Sequence, residues 1–421
     1  VDDGRVVDEG WSRAIDLLEH CAGEAGFVAS PSLPHYAAVW ARDAAITSLG
    51  ANVSGNPALV ATSRRTLETL ARLQSPLGQI PNAYWPARGY WDWGEAGCTD
   101  ATALFVIAAE HHVRATGDAA LAAALWPAVG RALTWLRYQD ANNVGLIDSP
   151  AGGDWMDSTL NRHGKVFHVN VLYQRAAWAA ERLAGGLGQP AVADAEGIRR
   201  RLNLLFWPEA GADFAGLLAH VTRQPGADAS WPHQSTRGAW QAAVSPDRWH
   251  YLAGVSWGRV TDVCDVLANL LAVLWGVAEG ERAGWVLDGL AAAGVDTPYP
   301  SRCWPDAIGA EGPGGELLQA AEGLQHPRWR NPPYHYHNGA VWPYVGGFSV
   351  LAHLRAGRRA DAEAQLAALA AANRLGEGRA WGFHEWIEPR TGQPLGAADQ
   401  AWNAGMYLLA YRAVADGAAT V

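Results

Sequence analysis

Apolar residues spaced three and four apart recur along almost the whole chain, in about twelve Ala-rich segments, and this helical period constrains the fold more than any other feature. The segments span 6–21, 42–52, 57–74, 99–116, 118–139, 168–187, 190–206, 260–276, 279–293, 339–357, 359–373 and 398–415. Start signals mark several of them: Asn56-Pro57 precedes one, and Thr99-Asp100 and Gly117-Asp118 precede others. Pro127 should kink or split the helix at 118–139, because it lacks an N–H donor and its ring clashes with the preceding turn. No run of alternating strands stands out, and there is room for short hairpins within 207–259. Twelve helices in sequential pairs can close into a double ring, each burying its apolar stripe against its neighbours. The expectation is an all-α chain forming a single domain over 1–421, with no linker or internal repeat dividing it.

Between the helices run loops rich in Gly, Pro and Trp, at 75–98, 140–167, 207–259, 294–338 and 374–397. Loops of this length in a compact domain usually carry function, and in a double ring those at one end surround a pocket. The chain holds 22 Trp against 2 Met and 7 Phe. Many of the indoles sit in or just beside these loops, close to Gly, Pro, Asp or His: Trp85, Trp91, Trp93, Trp155, Trp304, Trp329, Trp342, Trp381 and Trp386. An indole offers a flat apolar face and one N–H donor, which suits the C–H face of a sugar ring. An Ala/Trp-rich core is the competing explanation. A net charge of −10 argues against nucleic acid or an anionic membrane surface as partner. No stretch of 18 consecutive apolar residues is present, so no transmembrane helix is expected. The four cysteines, Cys21, Cys98, Cys264 and Cys303, are far apart, which fits neither a zinc site nor a disulfide scaffold. A reducing cytoplasm is the expected compartment, with a removed leader left open.

Four constellations can carry chemistry. GGDWMDSTLNRHG (152–164) places Asp154 and Asp157 around Trp155. Desolvation beside Trp and Met raises a carboxyl pKa, as a general acid working near neutrality needs, although such Asp residues also make Asx turns. WGFHEWIEPRTGQPLG (381–396) sets Glu385 between His384 and Trp386, with Glu388 following in what reads as a solvated turn. An acid and a base carboxyl are the minimum for cleaving a glycosidic bond. Asp157 and Glu385 lie 385 − 157 = 228 residues apart, so only folding brings them together. YAAVWARDAAI (36–46) puts Trp40, Arg42 and Asp43 at a helix start, where Asp43 either accepts two sugar hydroxyls, fixed by Arg42, or simply favours the helix dipole. PPYHYHNGAVWPYVGG (332–347) crowds His335, His337 and Asn338 before a helix. With no acidic ligand nearby this is a weak metal pattern; hydroxyl recognition by His337 and Asn338, with Trp342 as a ring platform, fits better. Asn82 in GQIPN, Asp100 in CTDATALF, and Gln400 and Trp402 in DQAWNAGMY are further binding candidates, as is Trp386.

Taken in order, these segments resemble the catalytic domain of glycogen-debranching amylo-α-1,6-glucosidases and the related neutral/alkaline invertases. Trp40-Ala41-Arg42-Asp43 matches that family's W-x-R-D sugar-binding motif, and Gly78 to Asn82 its G-x-IPN. Asp100-Ala101-Thr102 looks like its D-A-T-L helix, with Ala103 inserted before Leu104. Gly145-Leu146-Ile147 and Trp155-Met156-Asp157 follow as GLI and W-M-D, the latter carrying the family's general acid. Tyr336 to Pro343 matches YHNG-x-VWP, and Glu385 with Gln400-Ala401-Trp402 fits the catalytic base and the Q-A-W helix. The resemblance covers roughly residues 36 to 410 and implies an (α/α)6 barrel that inverts the anomeric centre without metal or organic cofactor. His168 stands where relatives carry a Glu near the sugar, so substrate choice departs there. The large glucan-handling region of debranching enzymes is missing, which points to a small α-glycoside, an α-glucoside or short α-gluco-oligosaccharide. Sucrose cleavage, sugar 2-epimerisation on the same barrel type through histidines, and non-catalytic sugar binding remain as alternatives.

Overall fold

The computed structural model describes residues 3–94, 97–157, 160–212, 234–318, 331–419 and 421. Trp329 and parts of the loops 207–259 and 294–338 lie outside the described residues. Thirteen helices are described: α1 (Asp3–Cys21), α2 (Ala41–Val53), α3 (Pro57–Arg72), α4 (Thr99–Thr116), α5 (Ala119–Tyr138), α6 (Phe167–Leu187), α7 (Ala195–Phe206), α8 (Gln234–Ala242), α9 (Val266–Leu274), α10 (Glu281–Ala292), α11 (Pro343–Arg355), α12 (Arg359–Arg374) and α13 (Ala401–Asp416). Helices α2, α4, α6, α9, α11 and α13 each pack on the next, and α13 returns to α2, so they close an inner ring. Helices α3, α5, α7, α10 and α12 lie outside them, each against the inner helix beside it in sequence, and α1 lies outside against α13, the last inner helix. The chain is an all-α (α/α)6 barrel, with α8 as an extra short helix among the described residues.

The two rings differ in their residues for a physical reason. An inner helix is surrounded by protein, so it is buried on every side: in α2 each residue from Ala41 to Asn52 is buried. An outer helix buries one stripe, as α3 does through Leu59, Thr62, Ser63, Thr66, Leu67 and Leu70. Caps fix the starts. Asn56 accepts from the backbone N–H groups of Ala58 and Leu59, Asp194 from Gly197 and Asp265 from Ala268, each worth about 1 kcal/mol. The ring closes at a tight crossing of α2 and α13. A Cβ on Gly50 would overlap the carbonyl of Gly405, and one on Gly405 would lie 2.7 Å from Cα of Thr47.

Pro127 does not split α5, which runs unbroken from Ala119 to Tyr138. Leu121, Ala122 and Leu125 before it and Ala128, Val129 and Ala132 after it are all buried, and that packing offsets the ~3 kcal/mol a helix-interior proline costs. By length and hydropathy α5 also passes for a membrane span, but it packs on α4 and α6 in the outer ring. The helix expected from 260 starts only at Val266, because Arg259–Thr261 forms a strand.

Ten short strands among the described residues go beyond the expected hairpins. Strands β1 (Ala22–Gly23) and β2 (Gly26–Phe27) pair, as do β9 (Trp386–Ile387) and β10 (Pro394–Leu395). Strands β3 (Val39–Trp40), β4 (Ala83–Trp85) and β5 (Tyr90–Asp92) form one three-stranded antiparallel sheet. Strands β6 (Lys165–Val166), β7 (Gly254–Ser256) and β8 (Arg259–Thr261) form another. β3 and β6 lead directly into α2 and α6, so these sheets pin loops to the end of the barrel where the inner helices begin.

Candidate active site

Side chains in the first turns of the inner helices touch one another, which places those N-termini at one end of the barrel. Arg42 in α2 pairs with Asp100 in α4, while Asp265, the cap of α9, pairs with Arg162. The Trp155 ring meets Trp342, the cap of α11, at 5.3 Å, and Tyr344 in α11 stacks on Trp402 in α13 at 4.2 Å. Helix N-termini carry partial positive charge, so a group of them favours carboxylates nearby.

Glu385 is buried in the loop before β9. One carboxylate oxygen accepts from the Tyr36 hydroxyl at 2.7 Å and the other from the Ala397 N–H at 3.0 Å. Asp157 lies in the loop after α5 with its side chain 30% exposed, and its carboxylate is 3.7 Å from the Arg42 guanidinium. Arg42 itself is held by Asp100 through two bonds, of 2.6 and 3.2 Å. Asp43, the next residue of α2, is buried. Burial pushes its carboxyl up to about 7, against the pull of Arg42, and the charges of Glu385 and Asp157 push the same way. The Tyr336 phenol, driven well above its ordinary value by burial, also feels Glu385, Asp157, Arg42 and Asp43. The two candidate carboxylates, 228 residues apart in sequence (385 − 157), therefore act electrostatically on the same two groups.

The setting of Asp157 differs from the expected one. Trp155 and Met156 are turned into the core, 3% and 0% exposed, and it is Arg42 that faces the carboxylate. Asp154 is structural. It pairs with Arg162, which also binds Asp265 at 2.7 Å and Met156 Sδ at 3.1 Å. Burial alone would raise the Asp154 carboxyl, but Arg162 and His168 hold it below its ordinary value.

Several binding candidates take other roles. The Asn338 amide is spent on backbone: Oδ1 accepts from the Ile308 N–H at 2.6 Å, and Nδ2 donates to the carbonyls of Ile308 and Asn331. That leaves it as a loop clip rather than a hydroxyl reader. Trp342 is no free ring platform, being 1% exposed and enclosed by His337, Tyr336, Trp155 and Trp402, with Nε1 donating to the Tyr336 carbonyl. Asp100 is fully buried and supports Arg42. Asn82 is bonded to the Cys98 thiol at 3.0 Å, and its carbonyl receives the Ala41 N–H. Glu388 is buried and ties its turn through Arg390 and the Thr391 N–H. Burial drives His337 well below its ordinary value and lowers His168 too, with Asp154 and Asp265 opposing, so both rings are neutral at pH 7. Trp40 stands at the N-cap position of α2 without a side-chain capping bond, its indole N–H donating to the His35 carbonyl, and Trp386 is half-buried beside Tyr336.

Other polar atoms at this end have no hydrogen-bond partner among the described residues: both amide atoms of Gln400, Nε1 of Trp402 and Trp155, Nδ1 of His168 and the Tyr344 hydroxyl. Buried polar groups are nearly always paired, so such a group of unpaired ones marks unused bonding capacity. The last three, with Arg42, line a small enclosed cavity of about 20 Å³, room for one water. Sequence reasoning missed Tyr36 and Tyr336. Both stand inside quoted motifs, and the only available signal was a phenol four residues from Trp40 and one beside His337. No cluster of metal-ligating side chains occurs among the described residues.

No family model and no curated protein matches the chain. Solved structures do. The GH63 mannosylglycerate hydrolase of Thermus thermophilus, in complex with Tris, is 17% identical, with a TM-score of 0.65 over 94% of this chain and 98% of that one. A bacterial glucoamylase complexed with acarbose is 15% identical, with a TM-score of 0.65 over 98% of this chain and 56% of that one. A rhamnosidase from Klebsiella oxytoca with rhamnose bound is 18% identical, with a TM-score of 0.59 over 97% of this chain and 64% of that one. At these identities the likeness is one of fold: this chain has the (α/α)6-barrel architecture of those glycoside hydrolases.

Proposed function

We propose that the chain is an inverting glycoside hydrolase acting on a small α-glycoside, with an α-glucoside as the preferred class. One observation carries the reading: Asp157, 3.7 Å from Arg42, and Glu385, bonded to Tyr36 at 2.7 Å, come from distant loops and both act on the buried Asp43 that follows Arg42 in α2. In this mechanism Asp157 donates a proton to the glycosidic oxygen as the C1–O bond breaks. Glu385 accepts a proton from a water whose oxygen bonds to C1 from the opposite face. Inverting enzymes hold the two carboxyls about 6.5–9.5 Å apart to admit that water. Tyr36 and the Ala397 N–H orient Glu385, and Arg42, fixed by Asp100, orients Asp157. Asp43, Gln400 and Trp402 are the groups with capacity to bind hydroxyls of the sugar.

The neighbours' ligands and names support a small carbohydrate substrate, and the GH63 hydrolase matches this chain nearly end to end. The test is release of free sugar from a panel of α-linked disaccharides, whose leaving groups need protonation, by wild type, Asp157→Asn and Glu385→Gln. Each variant should lose about 10²–10⁴-fold in kcat while melting like wild type. Turnover within a few-fold of wild type in either variant removes that residue from its role. Interconversion of free sugars without cleavage would replace the hydrolase by an epimerase.

A further inference from the structure

Large aromatic side chains left in water forgo the burial energy that a core position would supply, so a row of them on a hairpin calls for a reason. In the sheet β3–β4–β5, Trp40 pairs with Ala83, Ala83 with Asp92, and Trp85 with Tyr90. Side chains alternate along a strand, so Trp40, Ala83, Trp85, Tyr90 and Asp92 share one face. The rings follow one another there. Tyr36 lies 6.1 Å from Trp40, Trp40 lies 5.7 Å from Trp85, and Trp85 lies 5.6 Å from Tyr90, centroid to centroid. The inner end of the row is the Tyr36 hydroxyl bonded to Glu385, and the outer end, Tyr90, is 54% exposed. Tyr36, Trp40 and Trp85 between are half-buried.

We propose that this row binds the part of the substrate beyond the cleaved bond, a leaving group that carries a ring with an apolar face. The proposal rests on the hydrolase reading of Glu385 and adds the substrate class. Continuity with Glu385 gives the row its place, since a ring laid along it starts beside the reacting bond and runs out to solvent. Its chemistry gives the ligand: aromatic faces with the Asp92 carboxylate at the edge suit a neutral ring bearing few hydroxyls to bond, a second pyranose or an aryl group. Trp91 supplies an internal control. It is 42% exposed on the same hairpin, but it pairs with Tyr84 and so points to the opposite face.

The experiment uses three α-glycosides of one sugar that differ only in leaving group: methanol, phenol and a second glucose. Replacing Trp85 by Ala should cut kcat/KM for the phenyl glycoside, the disaccharide or both by roughly tenfold, chiefly through KM, while the methyl glycoside changes less than twofold. Tyr90→Ala should act in the same sense and more weakly. Trp85→Phe should restore most of the loss, and Trp91→Ala should behave as wild type for all three. Loss confined to the phenyl glycoside or to the disaccharide tells the two ring types apart. Equal loss on the methyl glycoside, or none on either ring, overturns the proposal. Saturation-transfer NMR of the same ligands on Asp157→Asn separates the two readings. If wild type cleaves none of the ligands, Trp85-dependent contact with the leaving-group ring sinks the hydrolase and keeps the row; absence of that contact sinks the row whatever the activity.

Discussion

Replacing Asp43 by Asn should make the protein more stable, and increasingly so as the pH rises. The Asp43 carboxyl is 5% exposed and sits at about 7 in the folded chain against an ordinary 3.8, chiefly through burial, with Glu385 and Asp157 adding to the shift and Arg42 opposing it. A raised carboxyl costs stability on the alkaline side. Below pH 3.8 both folded and unfolded chains hold the proton and nothing is lost. Between 3.8 and 7 only the unfolded chain releases it, so stability falls as pH rises, and above 7 the whole penalty is present. The gap of roughly 3 units at 1.36 kcal/mol each amounts to on the order of 4 kcal/mol. For a chain of 421 residues, an unfolding entropy near 2.1 cal/mol/K per residue turns this into a Tm difference of about 4–5 °C. The assay is a pair of melts, wild type and Asp43→Asn, at equal scan rates from pH 4 to pH 8.5; groups that titrate alike in both proteins cancel in the difference. The variant's advantage should grow through that window and level off above pH 7. A difference that stays flat with pH, or a variant that is the less stable at pH 8, would refute the electrostatic account of this cluster. A ligand whose hydroxyls bond to Asp43 would favour its ionised form, so sugar binding near pH 6 should release a proton, seen as a buffer-dependent heat in calorimetry.

Removing one partner of the buried Arg42–Asp100 pair leaves an uncompensated charge, so Asp100→Leu should cost about 3–5 kcal/mol in a urea melt and abolish turnover as well. Tyr36→Phe deletes a donor on Glu385; losing a hydrogen bond to a charged group costs about 1.5–3 kcal/mol, which predicts a 10- to 150-fold fall in kcat with the melting temperature nearly unchanged. Gly50→Ala drives a methyl into the backbone of α13 at Gly405 and should destabilise the barrel by about 1–3 kcal/mol or prevent folding, visible as a lowered Tm or loss of soluble protein.

The helices were legible because a long buried stripe repeats many times. All twelve segments read from the apolar period are helices, most of them within a few residues of the expected ends. The strands were not, since a strand of two or three residues, such as β3 or β6, is too short to show any alternation. The split expected at Pro127 fails for a related reason: local chemistry disfavours proline inside a helix, and the packing that outweighs this cost is a property of the finished barrel. At the site, Asp157 and Glu385 were singled out by neighbouring residues, but nothing local revealed their shared partners. Asn338 and Trp342 look like ligand contacts in sequence. Only the fold shows that the amide is consumed by the backbone of Ile308 and Asn331, and that both faces of the indole are covered. The Asp154–Arg162–Asp265 network was invisible for the same reason, since its members are joined by chain reversal across 103 residues.

The division of labour between Asp157 and Glu385 is tested most directly by the configuration of the sugar at the moment of its release. Proton NMR of a cleaved α-glucoside, recorded before mutarotation, should show the β-anomer first. Initial appearance of the α-anomer would mean a covalent or otherwise retaining route, and would contradict a mechanism in which Glu385 activates water across the ring from Asp157.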